Sequence, residues 1–123
     1  MTSARRALGQ VGEQAAVTHL EACGYTVVAR NVRRREGEID IVARAPDGAL
    51  VFVEVRSRRA PAGLDDAAES VGERKQQRLA ALASAYLADV DLDAPARIDV
   101  ITVAIDGHDR VAALAHIENA VEA

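Results

Sequence analysis

The sequence predicts an α/β fold, a mixed β-sheet flanked by helices, with the elements in the order α-β-β-β-α-β. Two segments repeat apolar residues at three- and four-residue spacing, as amphipathic helices do, whereas others alternate apolar and polar residues, as strands do. The two kinds of segment are interleaved along the chain, which favours one sheet covered by helices. At 123 residues, 50% hydrophobic and 28% charged, the chain suits a single domain over residues 1–123.

The first helix is predicted over residues 4–23, because apolar side chains recur on one face and Gly24 is a natural residue to end it. Residues 25–31 (YTVVARN) are rich in β-forming residues and predict the first strand. Residues 34–38 (RREGE) then predict a turn or a linker.

A β-hairpin is predicted next. Residues 38–44 (EIDIVAR) and 50–56 (LVFVEVR) both alternate apolar and polar side chains, and residues 45–49 (APDGA) supply Pro, Asp and Gly for a tight connection. If residues 46–48 form the loop, the apolar faces of the two strands coincide. The strands would then pair in antiparallel fashion, with one apolar and one polar face.

The remainder of the chain alternates irregular and regular segments. Residues 59–66 are predicted to be irregular, residues 69–88 to form the second helix and residues 89–95 to form an acidic loop. Residues 96–105 predict a strand ended by Asp106-Gly107, and the tail, residues 111–123, fits a strand, a short helix or fraying.

Charge is distributed unevenly along the sequence. Residues 30–78 contain eleven Lys/Arg and nine Asp/Glu, a local charge of +2, although the whole chain carries −4. This asymmetry is consistent with one basic face on an acidic body, and equally with a set of solvated faces.

Composition excludes several classes. The longest apolar run, ALVFV, is far too short for a membrane span, and the N-terminal residues lack the apolar core of a signal peptide. With one cysteine, Cys23, no intramolecular disulfide can form, and a reducing cytoplasm is the expected location. The three aromatic residues disfavour base-stacking RNA-binding folds.

The polar face of the predicted hairpin carries an unusual set of charges. With Ile39 and Ile41 on the apolar face, Asp40 lies opposite Glu54, and Arg56 lies one pleat beyond. A register two residues away would place the acids diagonally, so in either register their Cβ atoms lie roughly 5–8 Å apart. Opposed carboxylates repel each other unless solvent or a cation separates them.

A divalent metal between Asp40 and Glu54 would offset that repulsion. Mg²⁺ is usually held by one or two carboxylates together with water and phosphate oxygens. Arg56 would then hold a phosphate or an attacking water, which is the chemistry of a D…(D/E)-x-K nuclease site. A solvent-exposed sheet face with ordinary charges explains the same spacing, and on spacing alone that alternative stays open.

Several segments in order resemble a known family. GEQAAVTHLEACGYTVVARNVRRREGEIDIVAR, LVFVEVRSR, ERKQQRLAALASAYL, ARIDVITV and HIENAV are similar to the YraN family of small bacterial proteins. That family is itself similar to archaeal Holliday-junction resolvases and other restriction-endonuclease-like folds. The resemblance, which covers most of the chain, implies a restriction-endonuclease-like core with a D…(D/E)-x-K nuclease site.

The resemblance also implies a role for individual residues. Asp40 and Glu54 would be the principal ligands of Mg²⁺ or Mn²⁺, the Val55 carbonyl a further ligand, and Glu13 a third acid. Arg56 stands where such nucleases usually have lysine. Because arginine does not deprotonate in proteins, Arg56 is excluded as a general base, but it can still bind phosphate.

DNA is the partner that this resemblance implies, contacted through its phosphate backbone. The basic clusters and the helix positions that match the family predict the contact residues Arg33, Arg34, Arg35, Arg58, Arg59, Lys75, Gln77 and Arg78. For the three helix positions a solvated helix face is the alternative.

The function expected from these observations is metal-dependent endonucleolytic hydrolysis of DNA, with branched or flapped DNA among the candidate substrates. The alternative is a non-catalytic nucleic-acid-binding module, or a partner of a DNA-processing complex. A homodimer is expected by analogy alone, because resolvase-like nucleases cut two strands.

Overall fold

The computed structural model describes residues 2–61, 72–90 and 95–121, and these residues form two helices and a five-stranded sheet. The elements are α1 (Thr2–Ala22), β1 (Thr26–Arg34), β2 (Gly37–Arg44), β3 (Leu50–Arg59), α2 (Glu73–Val90), β4 (Ala96–Ile105) and β5 (Val111–Val121). The predicted α/β class is confirmed, and the tail that the sequence left open forms β5.

The sheet is mixed. Its strands lie in the order β1-β2-β3-β4-β5, and every neighbouring pair is antiparallel except β3 and β4, which are parallel. Parallel neighbours need a long crossover connection, and α2 lies within it. This arrangement is consistent with the nuclease-like core that the resemblance implied.

Element boundaries differ from the predictions at a few points. β1 continues through Arg34, so only Arg35 and Glu36 separate it from β2, and β3 continues to Arg59. α2 begins at Glu73. The predicted helix start at 69–71, most of the predicted irregular segment and residues 91–94 of the predicted acidic loop lie outside the described residues.

Helices cover both faces of the sheet, and each covers its own apolar core. The α1 core contains Ala16, Val17 and Leu20 together with Ile41, Ala43, Val51, Val53, Ile101, Val103 and Ile105. The α2 core contains Leu79, Leu82, Ala83 and Tyr86 together with Ile39, Val42, Leu50, Phe52, Ile98 and Val100. Each fully buried aliphatic side chain stabilises the fold by about 1.5–3 kcal/mol. Within the described residues, no helix combines the length and apolar character needed to cross a membrane.

The predicted hairpin register is confirmed, but the predicted faces are partly wrong. The face expected to be polar is covered by α2 and buries Leu50 and Phe52. Ala45 and Ala49 close the loop of residues 46–48, and Ile41 pairs with Val53. Ile39, however, packs in the α2 core, whereas Ile41 packs in the α1 core. The alternation of β2 therefore breaks at Asp40. On the neighbouring strand, Asn31 has a φ of 52°, which is outside the β region and accompanies this break.

Gly12 allows α1 to lie close against β3. A Cβ added at Gly12 would overlap Ser57 Oγ and lie 3.0 Å from Ser57 Cβ, whereas a Cβ added at Gly9 meets nothing within 4 Å. Because Glu13 follows Gly12, this close approach also sets the position of the predicted third acid.

The two glycines of α1 therefore provide a matched test of this contact. Gly9→Ala should stabilise the protein by about 0.5–1 kcal/mol, because alanine loses less backbone entropy in a helix. Gly12→Ala should instead destabilise it by about 1–3 kcal/mol through overpacking. Urea unfolding measures both changes, and Ser57→Gly should rescue Gly12→Ala. Equal stabilisation by the two alanine variants would show that α1 does not contact β3 at this point.

Candidate active site

Asp40 lies at the fork where β2 and β3 separate. The register of the two strands runs from Arg44–Leu50 to Ile41–Val53. One residue farther, Asp40 Oδ2 accepts a hydrogen bond of 2.8 Å from the amide of Val55. The side chain thus accepts a hydrogen bond from a β3 backbone amide beyond the Ile41–Val53 pair, which holds its carboxyl group between the strands.

Glu54 is the second acid of the site, and it is buried. It follows Val53 on β3 and points toward α2, because its Oε2 lies 3.0 Å from Lys75 Nζ. Arg56 Nη1 lies 3.9 Å from the same oxygen. A buried carboxylate needs such charged partners to offset the loss of hydration. The structure therefore brings together Asp40, Glu54 and Arg56, as the sequence predicted, and adds Lys75.

Glu13 reaches the vicinity from α1, but its nearest partners are on β1. Its Oε1 lies 4.0 Å from Arg30 Nη2. With its amide oriented to satisfy both acids, Asn31 donates to Glu13 Oε1 at 3.1 Å and to Glu38 Oε1 at 3.0 Å. Burial raises the pKa of Glu13, Arg30 opposes the rise, and Glu38 adds to it.

The pKa of Asp40 is raised strongly. Burial is the largest cause, the hydrogen bond from Val55 opposes it, and the charge of Glu54 and hydrogen bonding with Glu54 raise it further, so that the pKa reaches about 8. Glu13 makes a smaller contribution in the same direction. At neutral pH without a bound cation, Asp40 therefore holds a proton, because burial and, to a smaller extent, the neighbouring charge of Glu54 disfavour its ionised form.

The carboxyl groups of Asp40 and Glu54 suit a metal ion such as Mg²⁺, which keeps several water ligands. Across the described residues, no three His, Cys, Asp or Glu side chains are grouped so as to hold a metal ion. Glu13 raises the pKa of Asp40 through its charge, and its predicted role as a metal ligand stays a prediction. Two carboxylates and a backbone carbonyl do fit Mg²⁺ or Mn²⁺, which complete their coordination with water and phosphate oxygens.

The predicted DNA-contact residues on β1 are engaged with acids. Arg33 Nε lies 3.2 Å from Glu38 Oε2, although the Arg33 side chain is largely exposed. Arg34 Nε lies 2.7 Å from Asp89 Oδ2, and its guanidinium stands 5.7 Å above the ring of Tyr86. The contacts of Arg34 join the end of β1 to α2, whereas that of Arg33 joins β1 to β2.

The other predicted contact residues are spread over several elements. Arg59 Nη1 lies 2.8 Å from Asp109 Oδ1 and donates to the Asp106 carbonyl at 2.6 Å. Arg58 is half-buried on β3, whereas Arg35, Arg59, Gln77 and Arg78 are exposed, as is Arg33 on β1. Nucleic-acid binding by this set stays a prediction.

A second polar cluster lies on the α1 side of the sheet. Its Arg97–Asp99 ion pair is the one that their two-residue spacing on a strand indicates, whereas the contacts of His19 and His116 were not predicted. His116 Nε2 lies 2.8 Å from Asp99 Oδ2, and His116 Nδ1 lies 3.1 Å from His19 Nε2. Arg97 Nε donates to Asp99 Oδ1 at 3.1 Å, and Arg97 Nη2 donates to Tyr25 Oη at 2.7 Å. A usable signal was Asp99 itself, because an acid inside an apolar strand needs a partner.

Charges inside this cluster are compensated. Burial alone would raise the pKa of Asp99, but hydrogen bonds from His116, the amide of Asn119 and Arg97 outweigh it, so the pKa lies below its ordinary value. Burial and the neighbouring His116 lower the pKa of His19. Asp99 is therefore ionised and satisfied, in contrast to Asp40.

Comparison with known proteins identifies relatives over most of the chain. The model of a family described as "Uncharacterised protein family UPF0102" matches residues 12–103, which include all the predicted acids. A UPF0102 protein of Chloroflexus aurantiacus is 52% identical over 109 residues, 87% of each chain. One of Roseiflexus castenholzii is 48% identical over 126 residues, covering 99% of this chain and 98% of the relative. One of Desulforamulus reducens is 41% identical over 124 residues, covering 98% and 100%.

The raised pKa of Asp40 predicts a dependence of stability on pH. The folded state keeps the Asp40 proton up to about pH 8, whereas the unfolded chain releases it near 3.8. Stability should therefore fall as pH rises through that window. Asp40→Asn removes this slope and should be more stable than the parent at pH 9, by about 2 kcal/mol or more.

Urea unfolding between pH 4 and pH 9 measures this difference, with Asp89→Asn, an exposed acid, as control. The Asp40→Asn advantage should grow with pH, whereas the control should follow the parent within about 1 kcal/mol. A constant difference across the window would contradict the raised pKa of Asp40.

Proposed function

The chain belongs to the uncharacterised protein family UPF0102, the YraN family, and we propose that it is a metal-dependent nuclease that hydrolyses DNA phosphodiester bonds. One observation carries the proposal. The carboxylates of Asp40 and Glu54 interact at the strand fork, and the charge of Glu54 helps to hold Asp40 protonated in the absence of a cation. Such an arrangement is costly for stability alone and useful where a divalent cation replaces the proton.

Asp40 and Glu54 would hold the metal, Mg²⁺ or Mn²⁺, with the Val55 carbonyl as a further ligand. The bound ion would supply Lewis-acid stabilisation of the phosphate and lower the pKa of a bound water. The protein's own part is to fix the two carboxyl groups: the Val55 amide orients Asp40, and Glu54 is held in the buried space between β3 and α2.

Hydrolysis needs positive charge where the phosphate gathers negative charge. The oxygen of water forms a new bond to phosphorus, one ester P–O bond breaks, and the proton of the water ends on the released hydroxyl. Arg56, 3.9 Å from Glu54 Oε2, is close enough to the acids to stabilise the phosphate oxygens in that transition state. It stays protonated and takes no part in the proton transfer.

DNA would approach from the side that carries α2 and the β1–β2 turn, where the exposed side chains of Arg33, Arg35 and Arg78 lie. Binding would rest on phosphate contacts and would weaken as salt rises. Branched or flapped DNA, a homodimeric enzyme and a cytoplasmic location remain parts of the proposal, supported by the resemblance and by composition.

A non-catalytic binding module is the alternative. It accounts for the basic residues, but a binder of a polyanion gains nothing from acids placed beside those residues. Asp40 and Glu54 are therefore the residues on which the two functions differ.

Cleavage assays on linear, flapped and four-way DNA test this proposal. The parent should cut at least one form with Mg²⁺ or Mn²⁺, and EDTA should abolish the activity. Asp40→Asn and Glu54→Gln should each lose at least about 10²-fold in rate, because each removes charge that stabilises the transition state. Glu21→Gln, an exposed acid on α1, is the matched control and should cut like the parent. DNA binding without cleavage under every condition would favour the binding module.

A further inference from the structure

We propose that Lys75, on α2, is a catalytic residue of this site and supplies the amine that related nucleases carry at the position of Arg56. This inference rests on the proposed nuclease function. The D…(D/E)-x-K pattern would select position 56, on β3, for the contact with the scissile phosphate or the attacking water. The inference assigns that contact to a side chain of α2.

Composition makes Lys75 exceptional. The chain contains fifteen Lys and Arg residues, and Lys75 is its single lysine, the other fourteen being arginine. A chain that uses arginine at every other basic side-chain position carries its one lysine beside the candidate catalytic acids.

Distances favour Lys75 over Arg56 as the primary cation at Glu54. Lys75 Nζ lies 3.0 Å from Glu54 Oε2, within hydrogen-bonding distance, whereas Arg56 Nη1 lies 3.9 Å from the same atom. The Glu54 side chain is 7% exposed and that of Lys75 is 37% exposed. The ammonium group therefore bridges a buried carboxylate and the solvent side, from which a phosphate must enter.

The position of Lys75 follows from the phase of α2. Lys75 is four residues before Leu79 and seven before Leu82, which places it on the stripe that faces the sheet. Leu79 and Leu82 are buried in the α2 core, so the helix holds Lys75 over β3. Arg74, by contrast, is exposed on the same turn.

The chemistry of lysine and arginine explains how the site can function with arginine, in place of the usual lysine, at position 56. A lysine ammonium is a compact charge with three rotatable donors, whereas guanidinium is a planar fork suited to bidentate contacts. Lys75 can thus contact Glu54 and a phosphate oxygen at once. A metal ion bound by Glu54 would compete with Lys75 for that carboxylate and leave the ammonium free to donate to the phosphate.

Single-turnover cleavage and Mn²⁺ calorimetry on Lys75→Met test the assignment, with Arg74→Met as the matched control. Lys75→Met should lose about 10²–10³-fold in cleavage rate, the effect of removing one electrostatic donor. It should bind Mn²⁺ at least as tightly as the parent, because a competitor for Glu54 is gone. The double variant with Lys75→Met and Arg56→Lys should cut at least tenfold faster than Lys75→Met alone. Arg74→Met should behave as the parent in both measurements.

The outcomes separate this inference from the proposed function. If the parent cuts DNA and Lys75→Met cuts equally fast, Lys75 is a bystander and the nuclease function stands. If Lys75→Met loses Mn²⁺ binding together with cleavage and Arg56→Lys restores neither, Lys75 only orders Glu54, and the catalytic assignment is overturned. If the parent cuts no DNA, the nuclease function fails and the assignment fails with it.

Discussion

The hydrogen bond from the Val55 amide to Asp40 Oδ2, formed where β2 and β3 separate, determines the geometry of the site. Beyond the Ile41–Val53 pair, the backbone amide of Val55 donates to the carboxyl group of Asp40 and not to a backbone carbonyl of β2. The side chain is thereby held between the strands and not on either face of the sheet. At the same point β2 changes face, which sends Ile39 into the α2 core. β3 continues beside β4 in parallel, and its next outward side chain, Glu54, meets α2. The hydrogen bond between Val55 and Asp40 therefore shapes both the sheet and the candidate site.

Such a site has a cost, and the two cores of the protein offset it. Burial and neighbouring acids raise the pKa of Asp40, so its ionisation opposes folding. The opposite case lies on the α1 side, where hydrogen bonds lower the pKa of the buried Asp99. Both acids are polar groups on strands with apolar neighbours, yet one is satisfied by protein partners and the other is held protonated. That contrast supports the proposed function of the Asp40 region.

Much of this site follows from the sequence by simple rules. A loop of residues 46–48 and the alternation of two strands sufficed to place Asp40 beside Glu54. The face of Ile39 was wrong because alternation assumes extended backbone throughout, and the positive φ of Asn31 on the neighbouring strand is not encoded in any spacing. Contacts between distant elements were also out of reach. His19 and His116 are 97 residues apart, and the ion pair of Lys75 depends on how α2 docks.

The most direct test of the central claim is the binding of Mn²⁺ by Asp40 and Glu54, measured by calorimetry at pH 7.5 without DNA. The parent should show one saturable site, Asp40→Asn and Glu54→Gln should each weaken it by at least about tenfold, and the double variant should show none, because two carboxylates supply its charged ligands. Circular dichroism of each variant checks that the fold is kept. Binding by the double variant equal to that of the parent would contradict a metal site at the strand fork.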